Sequence, residues 1–297
     1  MQDYLVVVSV GLAMGTLGRL YLLRVDYRQY PSYPQGYMVH LALGFIAAFL
    51  GAVAIPALVA KEYTAVTFLA LAAQQFREIR DMERESLKHI EDTELVPRGA
   101  AYVEDIAKAF ESRNYLAMLT ALVTSAAVQF FKNSVLGIFT GGALILLLSY
   151  FTRRKRIQDI ATVRPAKIHF QGSILCIENI KVMNVGHPDS RKIFIEKGLA
   201  VMIEPKDDDA RATLANIGQR QAIAHDVAAL LGVKRDVNEV DFMPLVRIEL
   251  DTGRVGLVIV PMEKDMESLI EAVKMVPVLE SARRKPLKSK AGRSASD

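Results

Sequence analysis

The acids Asp26, Asp81, Glu104 and Asp105 are the residues of this 297-residue chain best suited to chemistry. Neighbouring carboxylates can hold one proton between them and activate water, the requirement for hydrolysis. All four flank apolar stretches, so they would converge at a membrane interface, and Asp26, Glu104 and Asp105 form the candidate catalytic set. The GxGD signature of intramembrane aspartyl peptidases is absent, and so are serine-hydrolase and zinc motifs. Whether the chain is an enzyme stays open, with a membrane-embedded peptidase as the leading enzyme alternative.

Other polar groups suit binding. Arg77, Arg80 and Arg84 recur at i, i+3 and i+7, a basic stripe fit for anionic lipid or a phosphorylated ligand. Their simpler use is pairing with Asp81, Glu83 and Glu85 along the same helix. The stretch Gly186-His187-Pro188-Asp189-Ser190-Arg191 joins a turn to a titratable His187, a carboxylate at Asp189 and a cation at Arg191. Gln219, Arg220, His225 and Asp226 lie at near-helical spacing and would recognise a ligand or partner, or face solvent. The histidines are isolated and Cys176 is the single cysteine, so no metal and no disulfide framework is expected. Neither a phosphate-cradling loop nor a dinucleotide fingerprint occurs, so no cofactor is implied.

These groups need a scaffold, and the hydropathy supplies one. Five apolar stretches precede residue 156: 4–23, 37–60, 63–76, 115–131 and 134–151. A helix crossing the roughly 30 Å hydrocarbon core needs about 20 such residues, so 63–76 is the short case. Counting it gives five spans, an outside N-terminus and a cytoplasmic C-terminus. Arg24, Arg28, the charged region 77–114 and the basic stop at 153–156 then all fall inside, as the positive-inside rule requires. A re-entrant 63–76 is the other reading. Gly11-x-x-x-Gly15, Ala47-x-x-x-Gly51 and Gly137-x-x-x-Gly141 clear faces for close helix approach, within the bundle or in a homo-oligomer. Arg19 lies one turn from a span end and is expected to snorkel to the interface. The net charge of +4 is concentrated at the stop and in the tail, which points to membrane orientation and not to nucleic acid.

Residues 76–91 read as a helix with Phe76, Ile79, Met82, Leu87 and Ile90 on one stripe. Pro97-Arg98-Gly99 breaks it, and a second amphipathic helix follows through Val103, Ile106, Ala107 and Phe110. Tyr102-Val103-Glu104-Asp105-Ile106-Ala107 resembles the hexapeptide that names the YIEGIA family of membrane proteins from endospore-forming bacteria. The stretches Asp26-Tyr27-Arg28-Gln29-Tyr30-Pro31, Ala72-Ala73-Gln74-Gln75-Phe76-Arg77, Phe110-Glu111-Ser112-Arg113-Asn114-Tyr115 and Thr213-Leu214-Ala215-Asn216-Ile217-Gly218-Gln219-Arg220-Gln221 resemble it too. Val103 stands where the family hexapeptide has isoleucine and Asp105 where it has glycine. The resemblance implies a bacterial inner-membrane setting and a link to sporulation, and supplies no reaction.

After residue 162 the period becomes that of strands. Strands are expected at 167–171, 174–182, 192–196 and 199–203, then a helix at 207–231, a hairpin of 245–250 with 255–261, and a helix at 264–275. The fold class is therefore a multi-pass α-helical membrane bundle of about five spans plus a C-terminal α+β cytoplasmic domain. Residues 1–156 form the transmembrane part, with juxtamembrane helices in 77–114. Residues 163–282 form the domain, and 283–297 a basic tail expected to be disordered. The reading is an integral inner-membrane regulatory or scaffolding protein, its partners the lipid bilayer, a cytoplasmic protein and a second copy of itself. An enzyme reporter that works only outside the cytoplasm, fused after Gly36, is expected to stay inactive; strong activity there would eliminate the five-span topology.

Overall fold

The computed structural model describes residues 2–26, 34–91, 94–152, 155–233, 235–236, 239–240, 242–290 and 294. Arg28 and the rest of the 27–33 stretch, with Arg153 and Arg154 of the basic stop, lie outside them. Two compact units are present. One comprises Met1–Ser86 with Ile106–Arg153, the other Leu87–Asp105 with Arg154–Asp297.

The first unit is helical: α1 (Gln2–Asp26), α2 (Pro34–Val59), α3 (Tyr63–Glu91), α4 (Ala100–Phe131) and α5 (Ser134–Phe151). Four of these, at Tyr4–Leu23, Tyr37–Val59, Ala100–Phe131 and Ser134–Phe151, are long and apolar enough to cross a membrane. α3 is one continuous helix whose apolar first half, 63–76, runs into its charged second half without a break. The helices α1, α2 and α4 meet through their smallest residues. A Cβ on Gly11 would stand 2.9 Å from the Ala121 carbonyl oxygen, one on Gly15 2.8 Å from that of Ala117, and one on Gly51 2.1 Å from that of Met118. In α5, Gly137 and Gly141 pack against Val128 and Thr124 of α4. The small-residue faces are thus filled within the chain.

Arg19 does not snorkel. Its side chain is fully buried, its Nη2 donates to His40 Nδ1 at 3.4 Å, and its guanidinium lies 5.6 Å from the centre of the Phe110 ring. A buried cation costs least among such partners. The other ring nitrogen of His40, Nε2, faces Glu83 Oε1 at 3.6 Å. Of the expected stripe on α3, Phe76 and Leu87 are buried, whereas Met82 is exposed.

The second unit is α+β. Its main sheet has the order β1 (Ala161–Pro165), β5 (Leu199–Pro205), β9 (Val255–Ile259), β8 (Leu245–Ile248), all antiparallel. β2 (Ile168–Gln171), β3 (Ile174–Ile177) and β4 (Ile180–Asn184) form a meander. Ala200, Met202, Val258 and Val260 pack with Leu175, Ile177, Ile180 and Phe194, so one face of the main sheet is buried by the meander and α7 (Pro188–Lys197). Alternation turns Val201, Ile203, Leu257 and Ile259, also buried, to the opposite face. That face belongs to α9 (Ile217–Leu231) and α10 (Met266–Met275). The remaining elements are α6 (Ile157–Ile160), α8 (Asp208–Leu214), the two-residue strands β6 (Arg235–Asp236) and β7 (Glu239–Val240), and a 3₁₀ turn at Glu280–Ala282.

Three local expectations are corrected. Residues 192–196 lie in helix α7: His187 caps it, Pro188 occupies its first turn and Asp189 suits its N-terminal dipole, which outweighs the β-branched run. The run 174–182 is two strands, turned at Glu178 with φ +49°, where the Arg164 guanidinium grips the carboxylate and holds it below the usual range. The helix expected at 207–231 breaks at Ala215–Asn216, because the Asn216 side chain accepts from the Gln219 N–H and starts α9 afresh. β1 was not foreseen. The described part of the basic tail holds a 3₁₀ turn at Pro286–Lys288.

Substitution Gly51→Leu forces the α2 and α4 backbones apart and is expected to cost about 1–3 kcal/mol. Gly142→Ala, where a Cβ meets no atom within 4 Å, is expected to be neutral or stabilising. Thermal unfolding in detergent compares them, and equal melting temperatures would contradict the packing.

Candidate functional site

The polar groups of the second unit gather where residues 91–105 lie on α9. α3 ends at Glu91, whose carboxylate accepts the N–H groups of Arg98 at 2.5 Å and Gly99 at 3.0 Å. This places a negative charge at the start of α4, where free amides and the helix dipole favour it. Arg98 in turn donates to Glu94 at 2.8 Å. Pro97 cannot continue a helix, and Gly99 adopts φ +85°, which side-chain-bearing residues avoid. The same glycine meets α9: a Cβ there would fall 2.4 Å from the Gln221 side chain. One turn earlier on α9, a Cβ on Gly218 would stand 2.4 Å from that of Ala101. Neither position has room for a side chain.

Around this contact, hydrogen bonds fix the register. The Tyr102 hydroxyl donates to Asp226 Oδ2 at 3.2 Å, and its ring meets that of His225 edge-on at 6.2 Å between centroids. His225 Nδ1 lies 2.5 Å from the Val96 carbonyl, to which it donates. Asp105 Oδ1 accepts the Glu280 N–H at 2.7 Å, so the acid standing in place of the family glycine caps the 3₁₀ turn. Fully buried Gln219 donates through Nε2 to the Pro277 carbonyl at 2.9 Å and accepts the Leu279 N–H at 2.8 Å.

Electrostatics sharpen the arrangement. Burial pushes the Asp226 carboxyl up to about 7, although the Tyr102 hydroxyl and the Arg98 charge pull it down. Burial also holds the His225 imidazole below its ordinary value, against its bond to Val96. Near neutral pH, then, an uncharged histidine and a carboxyl on the verge of protonation sit side by side on one helix.

The remaining candidates are placed as follows. Asp26 closes α1, and its side chain lies outside the described groups. Glu104 is half-buried in the first turns of α4. In the first unit, Arg80 pairs with Glu111 at 3.1 Å and Arg84 with Asp81 at 3.5 Å, while Arg77 is exposed. His187 and Asp189 are exposed at the start of α7, where His187 Nδ1 accepts the Asp189 N–H. Arg191 donates to the carbonyls of Gly172 and Gly186. Arg220 donates to the Ala215 carbonyl at 3.4 Å, and burial with the nearby Arg247 charge holds its guanidinium below the usual range. Among the described residues, no group of three His, Cys, Asp or Glu side chains could hold a metal ion. His225 and Asp226 do not form a solvated face: His225 is 4% exposed. The sequence reading missed Glu91, Val96 and Arg98, because a Pro-Arg-Gly run signals only a helix break and says nothing of what docks there.

A family model described as "YIEGIA protein" matches residues 7–289. A protein of Bacillus subtilis (strain 168), described as "Uncharacterized protein YphB", is 42% identical over 286 residues, covering 96% of each chain. No solved structure matches.

The two titrations act in opposite directions. Asp226 binds its proton more tightly in the docked state, so stability falls as pH rises from its ordinary 3.8 towards about 7. His225 binds its proton less tightly there, so stability falls as pH drops below 6.5. In Asp226→Asn only the histidine slope remains, and stability is expected to rise with pH between about 5 and 7; in His225→Asn it is expected to fall. Tyr102→Phe costs about 1 kcal/mol. Denaturant unfolding of the full chain across that range is the measurement, and variants that keep the parent profile would disprove the assignment.

Proposed function

The chain belongs to the YIEGIA family, and from that premise we propose that it is an integral protein of the bacterial inner membrane. In this reading the helical unit anchors an α+β unit that acts as a regulatory or scaffolding element on the cytoplasmic side. Five spans carry it, the apolar first half of α3 being the fifth, with the N-terminus outside. The basic stop at 153–156 and the charged stretch 77–114 support that orientation. The four membrane-length helices support insertion itself.

One observation carries the regulatory reading. The residues just before and within the hexapeptide stretch at Tyr102 lie on α9, the helix that begins inside the Thr213–Gln221 stretch. Gly99 and Ala101 meet Gln221 and Gly218, and Tyr102 meets Asp226. A joint built this way fixes the first turn of α4 on α9, an arrangement suited to coupling. A cytoplasmic protein that reads or sets this joint is the proposed partner, and the proposed physiological setting is sporulation.

The experiment is genetic. Deleting the gene for the similar Bacillus subtilis protein is expected to lower the yield of mature spores. This chain should restore the yield, whereas its Gly218→Leu variant, present in the membrane at equal level, should not. Unchanged spore yield in the deletion strain would remove the sporulation link. Full rescue by Gly218→Leu would remove the joint as the working part.

A further inference from the structure

Among the described residues, none beyond Met275 belongs to a strand, yet the segment that follows is held at every step. The Ile157 N–H donates to the Val276 carbonyl and the Val278 N–H to that of Lys155, both at 2.9 Å. Arg156 and Pro277 bridge in antiparallel fashion between them. The groups in between, the Pro277 carbonyl and the Leu279 N–H, go to the Gln219 side chain at 2.9 and 2.8 Å. The Glu280 N–H goes to Asp105 Oδ1 at 2.7 Å. Val276, Val278, Leu279 and Ala282 are buried, whereas Glu280 and Ser281 are exposed.

These bonds join places far apart in the sequence. The chain passes out of the α+β unit after Asp105 and is back in it at Lys155. Residues 276–280 are bonded to both places, and to α9 through Gln219. Each of these bonds leaves the segment, so none survives if the segment lifts away. We infer that residues 276–282 are a clasp: one opening unit that ties the exit at Asp105 to the re-entry at 155–157 and frees both when it lifts.

Bonding makes the segment act as one. A buried N–H or carbonyl left without a partner costs more than its bond returns, so losing the Gln219 pair at 277 and 279 penalises the closed positions of 278 and 280 too. Topology makes it separable. The described strands all lie before it, so lifting it leaves their pairing intact and costs less than unfolding the sheet. The four buried apolar side chains hold it shut. The clasp's use rests on the proposed joint, because Asp105 stands in the second turn of α4; its existence rests on its own bonds.

Hydrogen exchange of the full chain in detergent, read amide by amide, is the test. In the parent chain the N–H groups of Ile157, Val278, Leu279 and Glu280 are expected to share one protection factor, lower than that of the β9 amides. Gln219→Leu removes the side-chain bonds to 277 and 279. It is expected to speed exchange at Ile157, Val278 and Glu280 at least about tenfold and by a common factor, although none of these amides bonds to Gln219, while β9 keeps its rate. Asp105→Ala, which removes the acceptor of the Glu280 N–H, is expected to act alike at Ile157, Val278 and Leu279. Ser281→Ala is expected to change nothing. Unequal protection in the parent, or acceleration confined to the amide that lost its partner, overturns the clasp. Equal acceleration in β9 overturns it too, by making the segment part of the sheet core. These exchange results leave the joint standing, and rescue of spore yield by Gly218→Leu removes the joint while leaving the clasp.

Discussion

In both units the packing depends on glycines at which even a Cβ would overlap the neighbouring element. In the helical unit, Gly11, Gly15 and Gly51 bring α1 and α2 onto the carbonyls of α4. In the α+β unit, Gly99 and Gly218 bring the start of α4 onto α9. Dispersion between surfaces this close contributes to holding the bundle. At the second contact the same closeness brings hydrogen bonds into reach, and Tyr102, Asp226, His225 and Val96 become partners.

Buried polar groups then give these contacts their specificity. A buried donor left without an acceptor costs more than its bond returns, so each such group penalises alternative registers. Arg19 illustrates this in the bundle, where His40 and the face of Phe110 receive it. Gln219 illustrates it in the α+β unit, where both amide atoms are committed to the backbone at 277 and 279. Asp226 and His225 add a pH dependence, since burial discourages the charged form of each and those forms carry opposite signs.

Much of this was legible in the residues. Apolar stretches of membrane length, the basic stop after the last of them, and the change to strand periodicity all follow from local composition. The hairpin of β8 and β9 was read directly from the sequence. What failed locally did so for local reasons too: the caps at His187 and Asn216 outweighed the patterns around them. The α3 stripe holds at Phe76 and Leu87 but not at Met82, because helical spacing alone does not say which apolar residues find a neighbour.

The sequence by itself determined which parts are apolar enough to be solvated by lipid, and that a β-rich half follows, because hydropathy and period are properties of neighbouring residues. It also marked the Tyr102 and Thr213 stretches by resemblance. Only the tertiary structure decided that Tyr102 meets Asp226 on α9, that Asp105 caps a turn 175 residues away, and that Arg19 points inward. Such pairings join positions far apart in the chain, and their energy comes from burial and mutual distance, quantities that do not exist until the backbone has closed on itself.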